Sequence, residues 1–390
     1  MIENILDFQE EMIEWRHYLH RYPETAYNEK MTSEYIAGLL DSFGLKVHKG
    51  LAKTGIVSSL KVGRNEKKIG LRADMDALDI YEQNELSYKS LNNGKMHACG
   101  HDGHSAMLLG AAKYLSETQQ FDGTVYFIFQ PAEEIKAGGK KMIDDGLFKL
   151  FPAESIYGMH NMPRMPAGHF AVKAGSMMAS MDTFEINILG DGGHAALPHL
   201  SKDPFIASSH IINAIQTIVN RTTDPFDSAV VSLTQIHGGN TWNTIPESVT
   251  LRGTFRSFNP MVKSKIESRI NQIASSICNG FGVKTIVKFN PENPAYPVTI
   301  NTDEESKLST KVAIEIVGEK NVDLNPISCM ASEDFSFMLQ ERPGCYVWIG
   351  NGSTEQFGDL HNPNYNFNDE VLHIGASYWV KLVETILHRD

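Results

Sequence analysis

Residues 125–134 read V-Y-F-I-F-Q-P-A-E-E, an apolar and aromatic run that leads directly into two glutamates. Such a run, ended by a Gln-Pro turn, predicts a buried strand over 125–129. Other strands are predicted over 69–73, 156–159 and 346–349. Helices are predicted over 5–19, 31–43, 106–115, 142–148 and 306–317. This alternation favours an α/β fold with a mostly parallel sheet and helices on both faces.

The pattern changes near Ser180, where a second domain is predicted. Over 183–189 the apolar residues Phe184, Ile186 and Ile188 alternate with polar ones, as in a half-exposed strand. From there to residue 289 the predicted order is strand, helix, strand, strand, helix, strand, which is ferredoxin-like. A proline-rich stretch, 290–297, predicts the linker that leads back to the first domain. We therefore expect a catalytic domain of residues 1–180 and 293–390, interrupted by an inserted βαββαβ domain of residues 181–292.

The overall charge limits the partners. The 390 residues include 35 Lys and Arg against 47 Asp and Glu, a formal net charge of -12. This balance argues against nucleic acid or an anionic membrane surface as partner. No apolar run approaches the ~18–20 residues that span a bilayer, and the acidic N-terminal stretch is unlike a signal peptide. The four cysteines form no C-x-x-C pair and are expected to be reduced. A cytoplasmic protein is predicted.

Residues 96–104, M-H-A-C-G-H-D-G-H, concentrate one thiol, three imidazoles and a carboxylate. Cys99 and His101 are separated by one residue, so both side chains can point to the same side of an extended or turning segment. A thiolate beside an imidazole suits zinc, nickel, cobalt or manganese-like ions better than calcium or magnesium. Two ligands do not make a site, so the others must come from elsewhere in the chain.

Further candidate ligands follow the predicted strands, where an open parallel sheet collects its ligands. His160 follows the strand over 156–159, and His361 lies in a loop after the strand that holds Trp348. Adjacent glutamates such as Glu133 and Glu134 are usually a solvated turn. That interpretation weakens here because the pair follows a strongly apolar strand. Two adjacent carboxylates also suggest two roles, one as a metal ligand and one as a base.

These residues belong to nine ordered motifs through which the chain resembles the M20 metallopeptidase clan, and most closely its amidohydrolase subfamily of hippurate hydrolases and N-acyl-amino-acid deacylases. The resemblance covers essentially the whole chain. The motifs are L-R-A-D-M-D-A-L (71–78), M-H-A-C-G-H-D-G-H (96–104), Q-P-A-E-E (130–134), H-N-M-P (160–163), G-G-H-A-A-L-P-H (192–199), N-T-I-P (243–246), G-T-F-R (253–256), M-A-S-E-D-F (330–335) and L-H-N-P-N-Y-N-F-N-D (360–369).

The resemblance implies a zinc-aminopeptidase-like catalytic domain that holds two divalent metal ions, Zn, Mn, Ni or Co. Its implied metal ligands are Cys99, His101, Glu134, His160 and His361. Cys99 would bridge the two ions. His101 and His160 would be the further ligands of one ion, and Glu134 and His361 would be those of the other. Glu133 would be the general base. Asp76 would orient a ligand without binding the metal.

The same resemblance makes the inserted domain a lid and dimerisation domain. His194 would stabilise the oxyanion, while Asn243 and Arg256 would contact the substrate. Arg256 would grip a carboxylate with its two-pronged guanidinium. In related enzymes the histidine comes from a partner subunit, so a homo-oligomer, dimer or tetramer, is expected. Without the resemblance, His194 reads as a loop histidine and Arg256 as a surface charge.

We therefore expect a metal-dependent amidohydrolase that cleaves a small-molecule N-acyl-L-amino acid, hippurate-like or N-acetyl, into a carboxylate and an amino acid. The alternatives are an N-acetyl-diaminopimelate deacetylase, a small-peptide hydrolase and a non-catalytic metal-binding protein. One departure from the family pattern is Asp79, where a proline usually follows D-M-D-A-L. A proline there would stiffen the turn that carries Asp76.

Overall fold

In the computed structural model, residues 2–389 are described, apart from the side chain of Glu3. The strands are β1 (Lys46–Leu51), β2 (Gly55–Val62), β3 (Lys68–Asp74), β4 (Gly123–Gln130), β5 (Ser155–Pro163), β6 (Phe170–Ala171), β7 (Gly175–Met178), β8 (Asp182–Leu189), β9 (Gly193–His194), β10 (Ala229–Gly238), β11 (Thr244–Ile245), β12 (Ser248–Ser257), β13 (Lys284–Phe289), β14 (Thr299–Asn301), β15 (Val322–Asp323) and β16 (Gly344–Gly352). The α-helices are α1 (Gln9–Arg21), α2 (Lys30–Ser42), α3 (His101–Thr118), α4 (Glu133–Lys136), α5 (Gly138–Asp144), α6 (Leu147–Leu150), α7 (Pro204–Ile215), α8 (Pro260–Gly280), α9 (Asp303–Val317), α10 (Phe335–Glu341), α11 (Thr354–Phe357) and α12 (Leu372–Ile386).

The chain forms two compact units. The first comprises residues 1–177, 299–327 and 333–390, and the second comprises 178–298 and 328–332. Each unit has its own buried apolar cluster, as expected when a single core would be too large for one domain.

The first unit is built on an eight-stranded sheet of order β1-β2-β4-β3-β5-β16-β6-β15. Its centre is parallel, because β3 pairs in parallel with β4 and β5, and β5 pairs in parallel with β16. Strands β1, β2 and β4 pair antiparallel at one side. All eight residues of β4 are buried, which explains its continuous apolar sequence. The predicted α/β class with a mostly parallel sheet is confirmed.

Two predicted helices differ from those observed. The predicted helix over 106–115 begins earlier, at His101, so His101 starts α3 instead of lying in an extended segment. The polar residues of its first turn are buried by contacts with other elements, so this turn lacks the periodic apolar residues from which a helix is predicted. The single helix predicted over 142–148 is interrupted at Gly146, whose φ of 99° is left-handed, and two short helices result.

The second unit follows the order β8-α7-β10-β12-α8-β13. Its four longer strands form an antiparallel sheet of order β10-β12-β8-β13, and β9 pairs with β11 beside it. Asp203 caps α7 by accepting the N–H of Phe205.

Among the described residues, no helix combines the length and apolar character needed to cross a membrane.

Candidate metal and catalytic site

The parallel strands of the first unit end beside each other and carry the candidate residues. Asp74 ends β3 opposite Gln130, the last residue of β4. His160 lies near the end of β5, opposite Trp348 of β16. The sheet therefore aligns polar residues that are far apart in the sequence at one edge, as expected for an open parallel sheet.

Cys99 is held at this edge by its neighbours. It precedes Gly100, whose φ of 87° turns the chain into α3. A Cβ on Gly100 would lie 2.3 Å from the side-chain nitrogen Nδ2 of Asn161 and 2.5 Å from the hydroxyl of Tyr365, so glycine is required there. The carbonyl before Cys99, that of Ala98, accepts the N–H of His361 at 2.8 Å. The thiol and His361 are thus brought together through the backbone.

Two histidines have a lone pair prepared for a ligand. His101 Nδ1 lies 2.8 Å from the carbonyl oxygen of Asp76, and His160 Nδ1 lies 2.6 Å from that of Asn161. A carbonyl oxygen only accepts, so each Nδ1 carries a proton, and in the neutral imidazole each Nε2 presents its lone pair. The Nε2 of His160 lies 3.4 Å from Cys99 Sγ. Such hydrogen bonds are typical of metal-binding imidazoles.

The candidate ligands form two groups that share Cys99. One contains Cys99, His101 and His160; the other contains Cys99, Glu134 and His361. Within each group the ligand atoms all lie within 4.8 Å of one another. His361 Nε2 lies 3.3 Å from Glu134 Oε2, and His101 Nε2 lies 3.8 Å from Glu134 Oε1. All five residues predicted as ligands therefore converge.

The donor set fits divalent metal ions. Two buried atoms, His101 Nε2 and Glu134 Oε1, have no hydrogen-bond partner within residues 2–389. Buried polar atoms without partners are rare unless an ion or water satisfies them. Thiolate, imidazole and carboxylate together suit zinc-like cations.

Glu133 lies next to the ligand group, at the start of α4. Its side chain is buried, and its Oε1 accepts the N–H of Asp334 at 3.4 Å. Asp76 contacts both neighbouring ligands. Its carbonyl oxygen accepts from His101, and its Oδ2 accepts the N–H of Glu134 at 3.2 Å.

Burial and like charges dominate the electrostatics here. Burial, followed by the carboxylates of Glu134 and Glu133, raises the pKa of the Cys99 thiol well above its ordinary value. Burial, followed by Glu333 and Glu134, likewise raises the pKa of Glu133. Cations at Cys99 would oppose both effects, because positive charge favours thiolate and carboxylate forms.

A buried ionic network behind the site was not anticipated from the sequence. Arg72 of β3 is fully buried and donates to Asp74 at 2.7 Å, Glu333 at 2.9 Å and Asp334 at 3.0 Å. Its Nε also donates to Gln130 Oε1. The sequence contains one sign of it, a charged residue inside the apolar strand I-G-L-R-A-D, but that sign does not identify the partners.

A second hidden contact fixes the backbone of Cys99. Asn161 Nδ2 donates to the Cys99 carbonyl at 2.6 Å, and its Oδ1 accepts the Tyr365 hydroxyl at 2.6 Å. His104 accepts the N–H of Asn161 through Nε2 and donates through Nδ1 to Asp74. These residues set where the thiol lies, and none of them belongs to the two ligand groups that share Cys99.

The departure at Asp79 is accommodated at the surface. Lys95 Nζ lies 3.3 Å from Asp79 Oδ1 and 2.5 Å from Thr25 Oγ1. An exposed pair of this kind stabilises by at most ~1 kcal/mol. The turn that carries Asp76 is thus tied by an ion pair where a proline would stiffen it.

The remaining predicted residues lie in the second unit. His194 is exposed on β9 and pairs with Thr244 of β11, and the carbonyl of the adjacent Asn243 accepts the N–H of Ala195. Arg256 on β12 is half-buried and donates to the carbonyl of Met330 at 3.0 Å. The structure thus brings His194 and Asn243 together.

Comparison with known proteins assigns the family. Residues 70–385 match Peptidase family M20/M25/M40. The chain is 43% identical over 382 residues to a hippurate hydrolase of Campylobacter jejuni, covering 98% of each chain. The chain belongs to the M20 family. It is therefore a hydrolase of that family, and the amidohydrolase expectation from the sequence is confirmed.

Two further proteins match nearly the whole chain. An IAA-amino acid hydrolase of Arabidopsis thaliana is 39% identical and covers 94% of this chain and 83% of its own. The crystal structure of a dinuclear metal-binding M20 peptidase from Bacillus subtilis superposes with a TM-score of 0.83 and 32% identity. That match covers 98% of this chain and 99% of the other. Dependence on divalent metal ions follows for this chain as well.

Proposed function

We propose that this M20 hydrolase cleaves the amide bond of N-acyl-L-amino acids, hippurate-like ones first, with two divalent ions held by Cys99, His101, Glu134, His160 and His361. The observation that supports this most is the pair of three-residue ligand groups that share Cys99. A thiolate shared by both groups can hold two cations next to each other. The names of the relatives, hippurate hydrolase and IAA-amino acid hydrolase, support the substrate class.

The chain's own residues account for the proton transfers. When bound, two divalent cations supply Lewis acidity that polarises the amide carbonyl and lowers the pKa of water. Glu133 removes a proton from the attacking water and later delivers it to the departing amine nitrogen. The new C–O bond forms first and leaves an oxyanion on the former carbonyl; the C–N bond then breaks, and the products are a carboxylate and a free amino acid.

The second unit is proposed to supply substrate contacts. Arg256 would bind the amino acid's carboxylate, since a guanidinium matches a carboxylate with two parallel hydrogen bonds. His194 would donate to the developing oxyanion, a contact of ~2.7–4 kcal/mol in other hydrolases. Asn243 adjoins His194 and would contact the same substrate. The homo-oligomer and the cytoplasmic location stay predictions, to be tested by sedimentation velocity and cell fractionation.

A substrate panel tests the reaction. Protein loaded separately with Mn, Co, Ni or Zn is assayed on N-benzoylglycine, N-acetyl amino acids, N-acetyl-diaminopimelate and a dipeptide. We expect the highest kcat/KM on N-benzoylglycine. Preference for N-acetyl-diaminopimelate or the dipeptide would favour the corresponding alternative. Absence of turnover on every substrate with every metal would reject the proposal.

A variant separates catalysis from metal binding. Glu133→Ala should keep its metal ions and lose activity by at least about 100-fold, because general-base catalysis contributes ~10²–10⁴-fold. Glu154→Ala, an exposed glutamate of the same unit, is the control and should keep full activity. If Glu133→Ala remains fully active, Glu133 is not the base.

A further inference from the structure

The two carboxylates of the site, Glu133 and Glu134, lie on a helix that is too short to be stable without contacts from other segments. The helix α4 is a single turn, Glu133–Lys136. The residues at both of its ends, Ala132 (φ 57°) and Ala137 (φ 51°), adopt the left-handed conformation that alanine rarely takes. Such strain persists only where surrounding contacts hold the backbone.

A segment far from this helix in the sequence contacts both of its ends. Residues 24–29, here called the N-terminal clamp, precede α2. Glu29 Oε1 accepts the N–H of Ala132 at 3.0 Å, at the start of α4. The Tyr27 hydroxyl donates to the Lys136 carbonyl at 3.1 Å, at its end. The clamp thus holds the two ends at which the backbone is strained.

The N-terminal clamp is itself anchored to other segments of the first unit. Glu29 is fully buried, and its Oε2 accepts the Thr54 hydroxyl at 2.8 Å. The carbonyl of Glu24 accepts the N–H of Ala77 at 2.8 Å, directly after Asp76. A buried carboxylate with both oxygens engaged has a defined position, so it can transmit that position to Ala132.

We propose that Glu29, assisted by Tyr27, is a positioning residue that fixes the orientation of Glu133 and Glu134 by holding the two ends of α4. Glu29 accepts from the backbone beside these carboxylates and does not touch the substrate. The inference rests on the proposed roles of Glu133 as base and Glu134 as metal ligand.

The test uses Glu29→Gln, which keeps the size of the side chain but turns one acceptor oxygen into an NH2 donor, so that the bond from Ala132 or the bond from Thr54 must be lost or reversed. We expect kcat to fall by about 10- to 100-fold with KM within twofold of wild type, as when a group that orients metal ligands is lost. Titration of the metal-free protein with Co²⁺, followed by its visible absorption, should show binding weakened by about tenfold.

The matched control is Glu24→Gln, in the same segment. The Glu24 carboxylate accepts from the N–H and hydroxyl of Thr32 on α2, whereas Glu29 accepts from the residue before α4. Its substitution should leave kcat and Co²⁺ affinity unchanged even if thermal stability falls. Equal losses in both variants would show a general structural effect and overturn the proposal. The proposal is also overturned if Glu29→Gln keeps its kcat, or its affinity for Co²⁺, within twofold of wild type.

A second variant decides the question if Glu29→Gln does not fold. Thr54→Val removes the hydroxyl that anchors Glu29 and should lower kcat by about fivefold, the value of one ordinary hydrogen bond, with KM unchanged. An unchanged kcat would overturn the proposal. If the wild-type protein binds Co²⁺ but hydrolyses no acyl amino acid, the proposed function fails. The Co²⁺ affinities of the three variants then decide the role of Glu29.

Discussion

Replacing Arg72 by methionine removes the guanidinium that donates to three buried carboxylates. Arg72 donates to Asp74, Glu333 and Asp334 at 2.7–3.0 Å, and none of the four side chains is more than 1% exposed. Removing one partner of a buried ion pair costs ~3–5 kcal/mol, because the other charge stays buried and unpaired. Three carboxylates lose their bond to Arg72 here, so we expect the upper part of that range, or more than a thousandfold in the unfolding equilibrium.

The loss should depend on pH. Burial raises the pKa of Asp334, and Arg72 lowers it. Without Arg72 the folded-state pKa of this carboxyl rises further, so the folded variant holds its proton to higher pH than the unfolded chain. Stability gained by protonation is present at low pH and lost as pH rises through the folded-state pKa. The deficit of Arg72→Met should therefore be smaller at pH 5 than at pH 8.

Tryptophan fluorescence can follow the first unit alone. Trp15, Trp348 and Trp379 belong to this unit, and Trp242 belongs to the other. In a Trp242→Phe background, denaturant unfolding monitored by fluorescence gives the free energy of unfolding of the first unit.

Two control variants complete this measurement. Arg72→Lys keeps the charge without the planar fork and should lose less than Arg72→Met. Arg64→Met, at an exposed position, should change the free energy of unfolding by under about 0.5 kcal/mol. A loss below ~1 kcal/mol for Arg72→Met, typical of an exposed ion pair, would refute the reasoning.

Three further predictions concern the same unit. Burial raises the pKa of Glu29 to about 7. As pH rises from about 4.5 to 7, the free energy of unfolding of the wild type should therefore fall by roughly 3 kcal/mol relative to that of Glu29→Gln. Denaturant unfolding at several pH values measures this difference. Gly138→Ala should destabilise by ~1–3 kcal/mol or more, because its Cβ would lie 1.7 Å from a backbone oxygen, whereas Gly38→Ala, with nothing within 4 Å, should be neutral or stabilising in thermal melts. Tyr365→Phe should cost ~1–3 kcal/mol of unfolding free energy, because Asn161 Oδ1 loses its buried donor; an unchanged midpoint would contradict this.

The strands and the candidate ligands could be predicted from the sequence for different reasons. A strand such as β4 is visible because all of its residues are buried and nearly all are apolar. Cys99 and His101 are visible because metal-binding side chains seldom cluster by chance. Glu134, His160 and His361 became candidates because they follow predicted strands, and the order of the motifs then supported their assignment as ligands.

The residues that hold the site in place could not be predicted, because their partners are distant in the sequence. Arg72 and Glu333 are separated by 261 positions, and Glu29 contacts a backbone N–H 103 positions away. Nothing local distinguishes a carboxylate that will accept such a bond from one that faces water. The start of α3 was misplaced for a related reason, since His104 and Asp102 are buried by partners on other elements.

Anomalous diffraction from crystals loaded with manganese or cobalt tests the central claim most directly. The account predicts two peaks in each subunit, both within bonding distance of the Cys99 sulfur, ~2.3 Å for a zinc-like ion. One peak should also touch His101 and His160, and the other Glu134 and His361. A single peak, or peaks that do not touch Cys99, would contradict the account.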